Sequence, residues 1–172
     1  HREPENYTEY QKRGIELGSI YHWVKDGMLN VTKARAREYQ QASPSTRFIL
    51  PIGLEHPSVL ASIVEVCHTQ IPFTPDHVWS VGSSGCLNRG LQQAWPTAEV
   101  HVVSVGHGMD MIAIGRATYH RSPYKFERPV KSQDAPPYPS APTYDAKVWR
   151  PMVDWYQTHQ RPEKVLVWNV AG

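Results

Sequence analysis

The hydrophobic positions of the chain change period several times, and each change predicts a new element. After Pro57 the apolar residues recur at three-and-four spacing, which is typical of a helix lying on a sheet. Residues 77–81 and 100–105 are instead short β-branched runs that predict strands, and residues 86–94 between them predict a helix. Strands separated by helices of this length predict a parallel sheet with right-handed crossovers.

Further elements continue this alternation towards both ends. They are helices over 5–17, 32–41 and 144–159, and strands over 19–24, 48–52 and 164–168. Pro151 is expected to break or restart the third helix. Residues 106–142 carry six prolines and little periodicity, as in either a cover over a site or an irregular wrap along a sheet edge. We therefore expect a single α/β domain over 1–172, with three layers: a mainly parallel twisted sheet and helices on both faces.

Composition and charge exclude several classes of protein. The 172 residues carry a formal net charge of +2 without a block of either sign, which argues against nucleic-acid binding. No apolar run approaches the roughly 18 residues of a membrane helix, and two cysteines do not form a disulfide scaffold, so we expect a cytoplasmic protein without membrane contact. Because the chain begins with His1 rather than methionine, we expect its N-terminal part to be missing.

A turn of small residues is the strongest candidate for a binding site. Gly82, Ser83, Ser84 and Gly85 join a predicted strand to a predicted helix that begins with Cys86. Glycines let the backbone approach a ligand, and the free amides and dipole of a helix N-terminus favour phosphate. A plain tight turn between strand and helix explains the same residues equally well. The spacing is neither a Walker loop nor the dinucleotide pattern, which argues against ATP, GTP or NAD.

Cysteine and histidine chemistry is less strongly indicated. Cys86 stands at a helix N-terminus, where a thiol can become nucleophilic, but no base is tied to it in the sequence and a packed small residue is the favoured interpretation. His101, His107 and His120 lack the helical spacing of a zinc site, so no metal site is predicted.

Several segments, taken in order, resemble one enzyme family. They are the strand, GSSG turn, helix and strand of residues 76–106, the Pro-x-Gly of 51–53, the Tyr-x-x-Lys of 144–147, and the Asn-Val-Ala-Gly of 169–172. Together they are similar to fold type II pyridoxal-phosphate enzymes, which have the tryptophan synthase β-like fold. The nearest branch is that of aminocyclopropanecarboxylate deaminase and D-cysteine desulfhydrase, and the chain looks like its carboxy-terminal portion.

The resemblance implies a cofactor, a reaction and site residues. It implies pyridoxal phosphate, a small amino acid as substrate, and chemistry of the elimination or deamination type. The residues it assigns to the cofactor are Gly82, Ser83, Ser84, Gly85, Cys86, Tyr144 and Asn169. Val170 departs from the pattern, because it stands where the family has a threonine that meets the pyridine nitrogen, and valine cannot make that hydrogen bond.

The catalytic lysine of the family has no counterpart in this sequence. Lys25 comes nearest by context, but it is interpreted as a solvated turn residue. Three explanations stay open: an upstream segment carries the lysine, a partner chain or second copy supplies it, or the protein is a non-catalytic phosphate- or anion-binding relative. A phosphosugar or nucleotide transferase is a further alternative, since it would use the same kind of turn.

Overall fold

The chain forms two compact units, His1–Leu50 and Pro51–Gly172. The structure is a computed structural model that describes residues 4–24, 29–106, 108–159 and 164–170. Lys25, His107, Ala171 and Gly172 lie outside these described residues. Whether the chain is one domain, as the sequence predicts, stays a prediction.

The first unit consists of helices with no buried residue in either α-helix. It contains a 3-10 helix at Pro4–Asn6, α1 at Glu9–Glu16 and α2 at Leu29–Gln41. Thr8 and Gln11 form a capping box at the start of α1, and Gly18 follows its end with φ of +89°. The predicted helices are thus confirmed with shifted ends. The predicted strand over 19–24 is wrong: although these residues are rich in strand-forming types, they pair with no strand in the part of the chain that the structure describes.

Part of this unit is an apolar groove. A cavity of about 1060 Å³ lies between α2 and the segments 22–24 and 46–49. The guanidinium of Arg47 lies 3.9 Å from the centre of the Tyr39 ring and donates a hydrogen bond to the Tyr39 carbonyl oxygen. Phe48 is 82% exposed, so this unit leaves apolar side chains in contact with solvent.

The second unit is built on a four-stranded parallel sheet. Its strands are β1 (His77–Gly82), β2 (Glu99–Ser104), β3 (Thr118–Arg121) and β4 (Val165–Val167), in the spatial order β3-β2-β1-β4. Its helices are α3 (Pro57–Gln70), α4 (Cys86–Ala94), α5 (Met111–Ile114) and α6 (Trp149–His159). The bounds predicted for α4 agree with the structure, those predicted for β1, β2 and β4 agree to within a residue, and α3 begins at Pro57 as predicted.

Both faces of the sheet are covered, as the alternation of side chains along each strand requires. On one face Val78, Val100 and Leu166 pack with Leu91 of α4 and with α3. On the other face Trp79, Val81 and Val103 pack with Val148 and with Met152 of α6. The expected three-layer α/β architecture, with a parallel sheet between helices, is therefore confirmed.

The predicted strand over 48–52 is wrong. Residues 48–51 are not in a strand, and Ile52–Leu54 forms a 3-10 helix in which Gly53 has φ of +70°. Pro51 cannot donate to a strand ladder, and a left-handed glycine interrupts the extended backbone, so the apolar composition of this segment does not make a strand.

The irregular segment 106–142 contains two elements that the sequence did not reveal, α5 and β3. Thr118 and Tyr119 of β3 are exposed, because this strand lies at the edge of the sheet, and an edge strand needs no apolar pattern. The helix predicted over 144–159 is interrupted, as expected, but earlier: Asp145–Val148 is a 3-10 helix and α6 begins at Trp149. Pro151 then falls in the first turn of α6, where its missing N–H has no partner to lose.

No helix among the described residues has both the length and the apolar composition to span a membrane.

The packing of α4 on the sheet generates a stability prediction. Leu91 of α4 is fully buried in the cluster that α3 and α4 form with β1 and β2, so Leu91→Ala should lower the free energy of unfolding by about 2–5 kcal/mol through lost burial and a cavity. Urea denaturation followed by circular dichroism measures this change. The matched control is Ile112→Ala, whose side chain is 77% exposed and whose loss should change the free energy by no more than about 0.5 kcal/mol. Equal effects of the two substitutions would contradict this packing.

Candidate functional site

Two glycines in the turn between β1 and α4 lie in close contact with neighbouring residues. Gly85 is the N-cap of α4 and has φ of +87°. A Cβ atom there would lie 2.5 Å from the Cβ of Ala113 and 2.8 Å from its carbonyl oxygen, so α5 sits directly against the turn. A Cβ atom at Gly82 would overlap with Val102 and would lie 2.6 Å from the sulfur of Met109. The turn therefore requires glycine at both positions.

α5 is fastened to α4 by a buried amide. The Nδ2 of Asn88, which is fully buried, donates hydrogen bonds to the carbonyl oxygens of Ala113 at 2.7 Å and Ile114 at 2.9 Å. No sequence pattern indicates this role, because an asparagine inside a predicted helix is expected on the surface. The bond fixes the wall on one side of the turn.

The N-terminus of α4 faces the turn without a side-chain cap. No side chain caps the helix at Gly85 in the part of the chain that the structure describes, and the first bond in the helical pattern runs from the Arg89 amide to the Gly85 carbonyl at 2.9 Å. The amides of the first turn consequently point out of the helix towards residues 82–85, where the helix dipole is positive.

The two serines of the turn have different surroundings. Ser84 is half-buried against Gly53, where an added Cβ atom would overlap with the Ser84 hydroxyl. Ser83 is exposed, and its Oγ lies 3.5 Å from where a Cβ atom of Gly106 would be. The Ser83 hydroxyl is thus the one that reaches the open space between the ends of β1 and β2.

The thiol of Cys86 turns away from that space. It is 3% exposed and donates a long hydrogen bond of 3.7 Å to the Leu54 carbonyl oxygen. Next to it the guanidinium of Arg89 forms an ion pair of 2.7 Å with Glu55. This environment fits the interpretation of Cys86 as a packed small residue, whose backbone amide rather than its sulfur faces the turn.

A cavity lies beside the turn at the carboxyl ends of β2 and β3. Its volume is about 820 Å³, and it is lined by residues 104–106 and 121–126 together with Gly108 and Tyr119. Gly106 belongs to this lining and faces Ser83, so cavity and turn adjoin. Arg121 and Lys125 in the lining are exposed cations. The carboxyl end of a parallel sheet is where open α/β proteins bind ligands.

The other two predicted site residues are held by contacts of their own. The side-chain amide of Asn169 donates to the Pro139 carbonyl at 2.9 Å, and its oxygen accepts a hydrogen bond from the Ser140 hydroxyl at 2.9 Å. Tyr144 packs with the aromatic and aliphatic residues on the α6 face of the sheet, and burial raises its pKa, with the Asp145 carboxylate adding to the shift. Among the described residues no hydrogen bond joins either side chain to residues 82–86.

One buried lysine has a structural role that the sequence analysis does not predict. Lys147 is 1% exposed, and its ammonium donates hydrogen bonds to the carbonyl oxygens of Lys125 at 2.9 Å and Phe126 at 2.7 Å. Burial lowers the pKa of this amine. Its position between Ala146 and Val148 in the sequence was the available signal. Lys147 fixes the irregular segment against the 3-10 helix Asp145–Val148.

Histidines form a second cluster, near the amino ends of the strands. Nδ1 of His77 lies 3.2 Å from Nε2 of His101, and Nδ1 of His101 lies 3.2 Å from Nε2 of His120. The carboxylate of Glu99 lies 3.6 Å from Nδ1 of His77. Desolvation lowers the pKa of His101 to about 4, and the neighbouring His120, His77 and then His159 contribute further to the shift.

Comparison with known proteins was made for sequence and for structure. No protein-family model and no curated protein matches the sequence. The structure is similar to a crystal structure of an ACC deaminase homologue, with a TM-score of 0.72 and 15% sequence identity. The chain shares that protein's fold. The alignment covers 93% of this chain and 61% of the other, so this chain spans less than two thirds of that protein's length.

The expected α/β fold is thereby confirmed, because the chain and that protein share it, and membership of the branch that the motifs indicated stays a prediction. At 15% identity the similarity concerns the fold and does not extend to ligand or reaction. The roles of residues 82–86, Tyr144 and Asn169 stay predictions.

The turn generates a prediction about glycine. Gly85→Ala should lower the free energy of unfolding by about 2–4 kcal/mol, because a Cβ atom would both occupy a left-handed backbone and overlap with Ala113. Gly108→Ala is the matched control: its φ is +101° but the space around it is open, so only the backbone cost of about 1 kcal/mol is expected. The two variants are compared by urea denaturation, and equal losses would argue against the contact between Gly85 and α5.

The histidine cluster generates a prediction about pH. Since the pKa of His101 falls from 6.5 to about 4 on folding, the unfolded chain binds more protons between these values. The free energy of unfolding should therefore decrease as the pH falls through this window, with His101 contributing up to about 3 kcal/mol. Nuclear magnetic resonance of the imidazole protons measures the pKa directly. A His101 midpoint at or above 6 would contradict the prediction.

Proposed function

We propose that the chain holds the phosphate group of pyridoxal phosphate at residues 82–86 and forms the cofactor-binding part of an enzyme acting on a small amino acid. The observation that carries this proposal is the N-terminus of α4, which no side chain caps among the described residues and which opens beside a cavity containing Arg121 and Lys125. The shared fold with an ACC deaminase homologue supports it.

The turn suits a phosphate in shape and charge. A phosphate needs several N–H donors at one point, and the first amides of α4 supply them together with the positive end of the helix dipole. Glycine at 82 and 85 lets the turn pack closely against Val102, Met109 and Ala113, and the exposed Ser83 hydroxyl adds a donor from the side of the cavity. Cys86 contributes its backbone amide, because its thiol is buried against Leu54.

The ring of the cofactor would extend from the turn into the space at the carboxyl ends of the strands. When bound as an imine, pyridoxal phosphate supplies an electron sink for breaking bonds of an amino acid. Arg121 and Lys125 line the cavity there as candidate partners for the substrate carboxylate. Tyr144 and Asn169 are the residues proposed for contacts with the ring, and Asn169 would have to share its amide with Pro139 and Ser140.

The lysine that forms the imine is proposed to come from outside these residues. Lys147 is committed to two backbone carbonyls, and the sequence surrounding each of the other lysines is unlike that of the family's catalytic lysine. An upstream segment or a second chain would supply it. The share of the ACC deaminase homologue that this chain spans, 61%, leaves room for such a part.

A binding experiment tests the phosphate site without requiring catalysis. Pyridoxine 5′-phosphate and pyridoxine both lack the aldehyde, so they cannot react with surface lysines and differ only in the phosphate. Calorimetry should show the phosphorylated compound binding at least about tenfold more tightly, because each hydrogen bond to a charged group contributes about 1.5–3 kcal/mol. Ser83→Ala should weaken its binding about tenfold. The exposed Ser132→Ala is the control and should have no effect.

The outcomes separate the alternatives. Equal affinity for pyridoxine and its phosphate, or no binding of either, would refute the proposed site. Inorganic phosphate that binds as tightly as pyridoxine 5′-phosphate would instead support a non-catalytic anion-binding protein, since the ring would then contribute nothing. The engagement of Asn169 with Pro139 and Ser140 favours this second candidate.

A further inference from the structure

Three potential metal ligands meet at the amino ends of β1 and β2, at the opposite end of these strands from the phosphate turn. His77 and Glu99 are the first residues of their strands and are paired directly in the parallel ladder. His101 lies two residues beyond Glu99, so its side chain points to the same face of the sheet. The site is therefore separate from residues 82–86, which begin at the carboxyl end of β1.

The ligand atoms converge on one point. Nδ1 of His77, Nε2 of His101 and a carboxylate oxygen of Glu99 all lie within 4.8 Å of one another. The separation of the two nitrogens is 3.2 Å, and Nδ1 of His77 is 3.6 Å from the Glu99 oxygen. Ligands placed tetrahedrally around zinc at about 2.0–2.1 Å are about 3.3–3.5 Å apart, so a small closing movement of Glu99 completes the geometry.

Neighbouring side chains hold the imidazole ring of His101 in one orientation. Nδ1 of His101 lies 3.2 Å from Nε2 of His120, which can accept a hydrogen bond from the Nδ1–H group and so leave the lone pair of His101 Nε2 for a metal. Trp79 stacks on the His101 ring at 4.3 Å with an angle of 4° between the planes, and Trp155 packs at 5.1 Å. Aromatic walls of this kind hold a ligand ring in one orientation.

The cluster is accessible from one side. His77 and His101 are buried, whereas the Glu99 side chain is 72% exposed. A metal ion can therefore enter along Glu99, and the solvent side leaves a fourth position for water. The carboxylate offsets part of the charge of a divalent cation near the buried imidazoles.

We propose that His77, Glu99 and His101 bind Zn²⁺, with His120 orienting His101 from behind. Two imidazoles and one carboxylate are a donor set that zinc accepts, with water as the remaining ligand. The proposed zinc site does not depend on pyridoxal phosphate. A negative result for zinc binding would therefore not bear on the proposed phosphate site.

Calorimetric titration of the purified chain with Zn²⁺ tests the proposal. One ion per chain is expected, and Glu99→Gln and His77→Gln should each weaken binding by about tenfold or more. Glu65→Gln is the matched control, because this carboxylate is exposed on α3 away from the cluster. The Glu65→Gln variant should bind zinc with the same affinity as the unmodified chain. Circular dichroism of every variant establishes that it is folded, and the exposed Glu99 makes Glu99→Gln the variant least dependent on packing.

Substitution with Co²⁺ identifies the donor atoms. Visible absorption typical of a four-coordinate site with nitrogen and oxygen ligands is expected. A sulfur charge-transfer band in the near ultraviolet would mean that Cys67 or Cys86 binds the metal and would overturn the assignment. Absence of zinc binding, or binding that Glu99→Gln and His77→Gln leave unchanged, would also overturn it.

Discussion

The burial of β1 on both faces is the constraint on which the rest of the second unit depends. All residues from His77 to Gly82 are buried, and the strand pairs with β2 on one side and β4 on the other. A strand in this position needs helices above and below, which α3 with α4 and α6 with its preceding 3-10 helix provide. Its two ends then emerge between neighbouring strands, where side chains from separate segments meet.

For this reason different kinds of side chain meet at the two ends of β1. At the carboxyl end, Gly82 passes into a turn whose glycines bring the start of α4 next to an 820 Å³ cavity with two cations. At the amino end, His77 stands beside Glu99 and His101 among aromatic rings. The proposed anion site and the proposed metal site are compatible on one strand, because the length of the strand separates the positive charge that an anion requires from the negative charge that a cation requires.

The local pattern of hydrophobic residues was enough to predict the elements that have a clear helical or strand period. The apolar stripe after Pro57 and the β-branched runs of β1 and β2 identified α3, β1 and β2, and the glycine turn located the start of α4 at Cys86. The same reasoning failed for 19–24 and 48–52, whose apolar residues pair with no strand among the described residues. It also missed β3, whose exposed residues carry no apolar alternation because it lies at the edge.

The sequence by itself determined the α/β class, the parallel sheet and the position of the glycine turn, since these follow from residues close together in the chain. Only the tertiary structure decided which side chains share a site. His77, Glu99 and His101 come from two strands, and the anchoring of Asn169 by Ser140 joins residues far apart in sequence. Strand order and register set these neighbours, and they depend on the packing of the whole sheet rather than on any local spacing of residues.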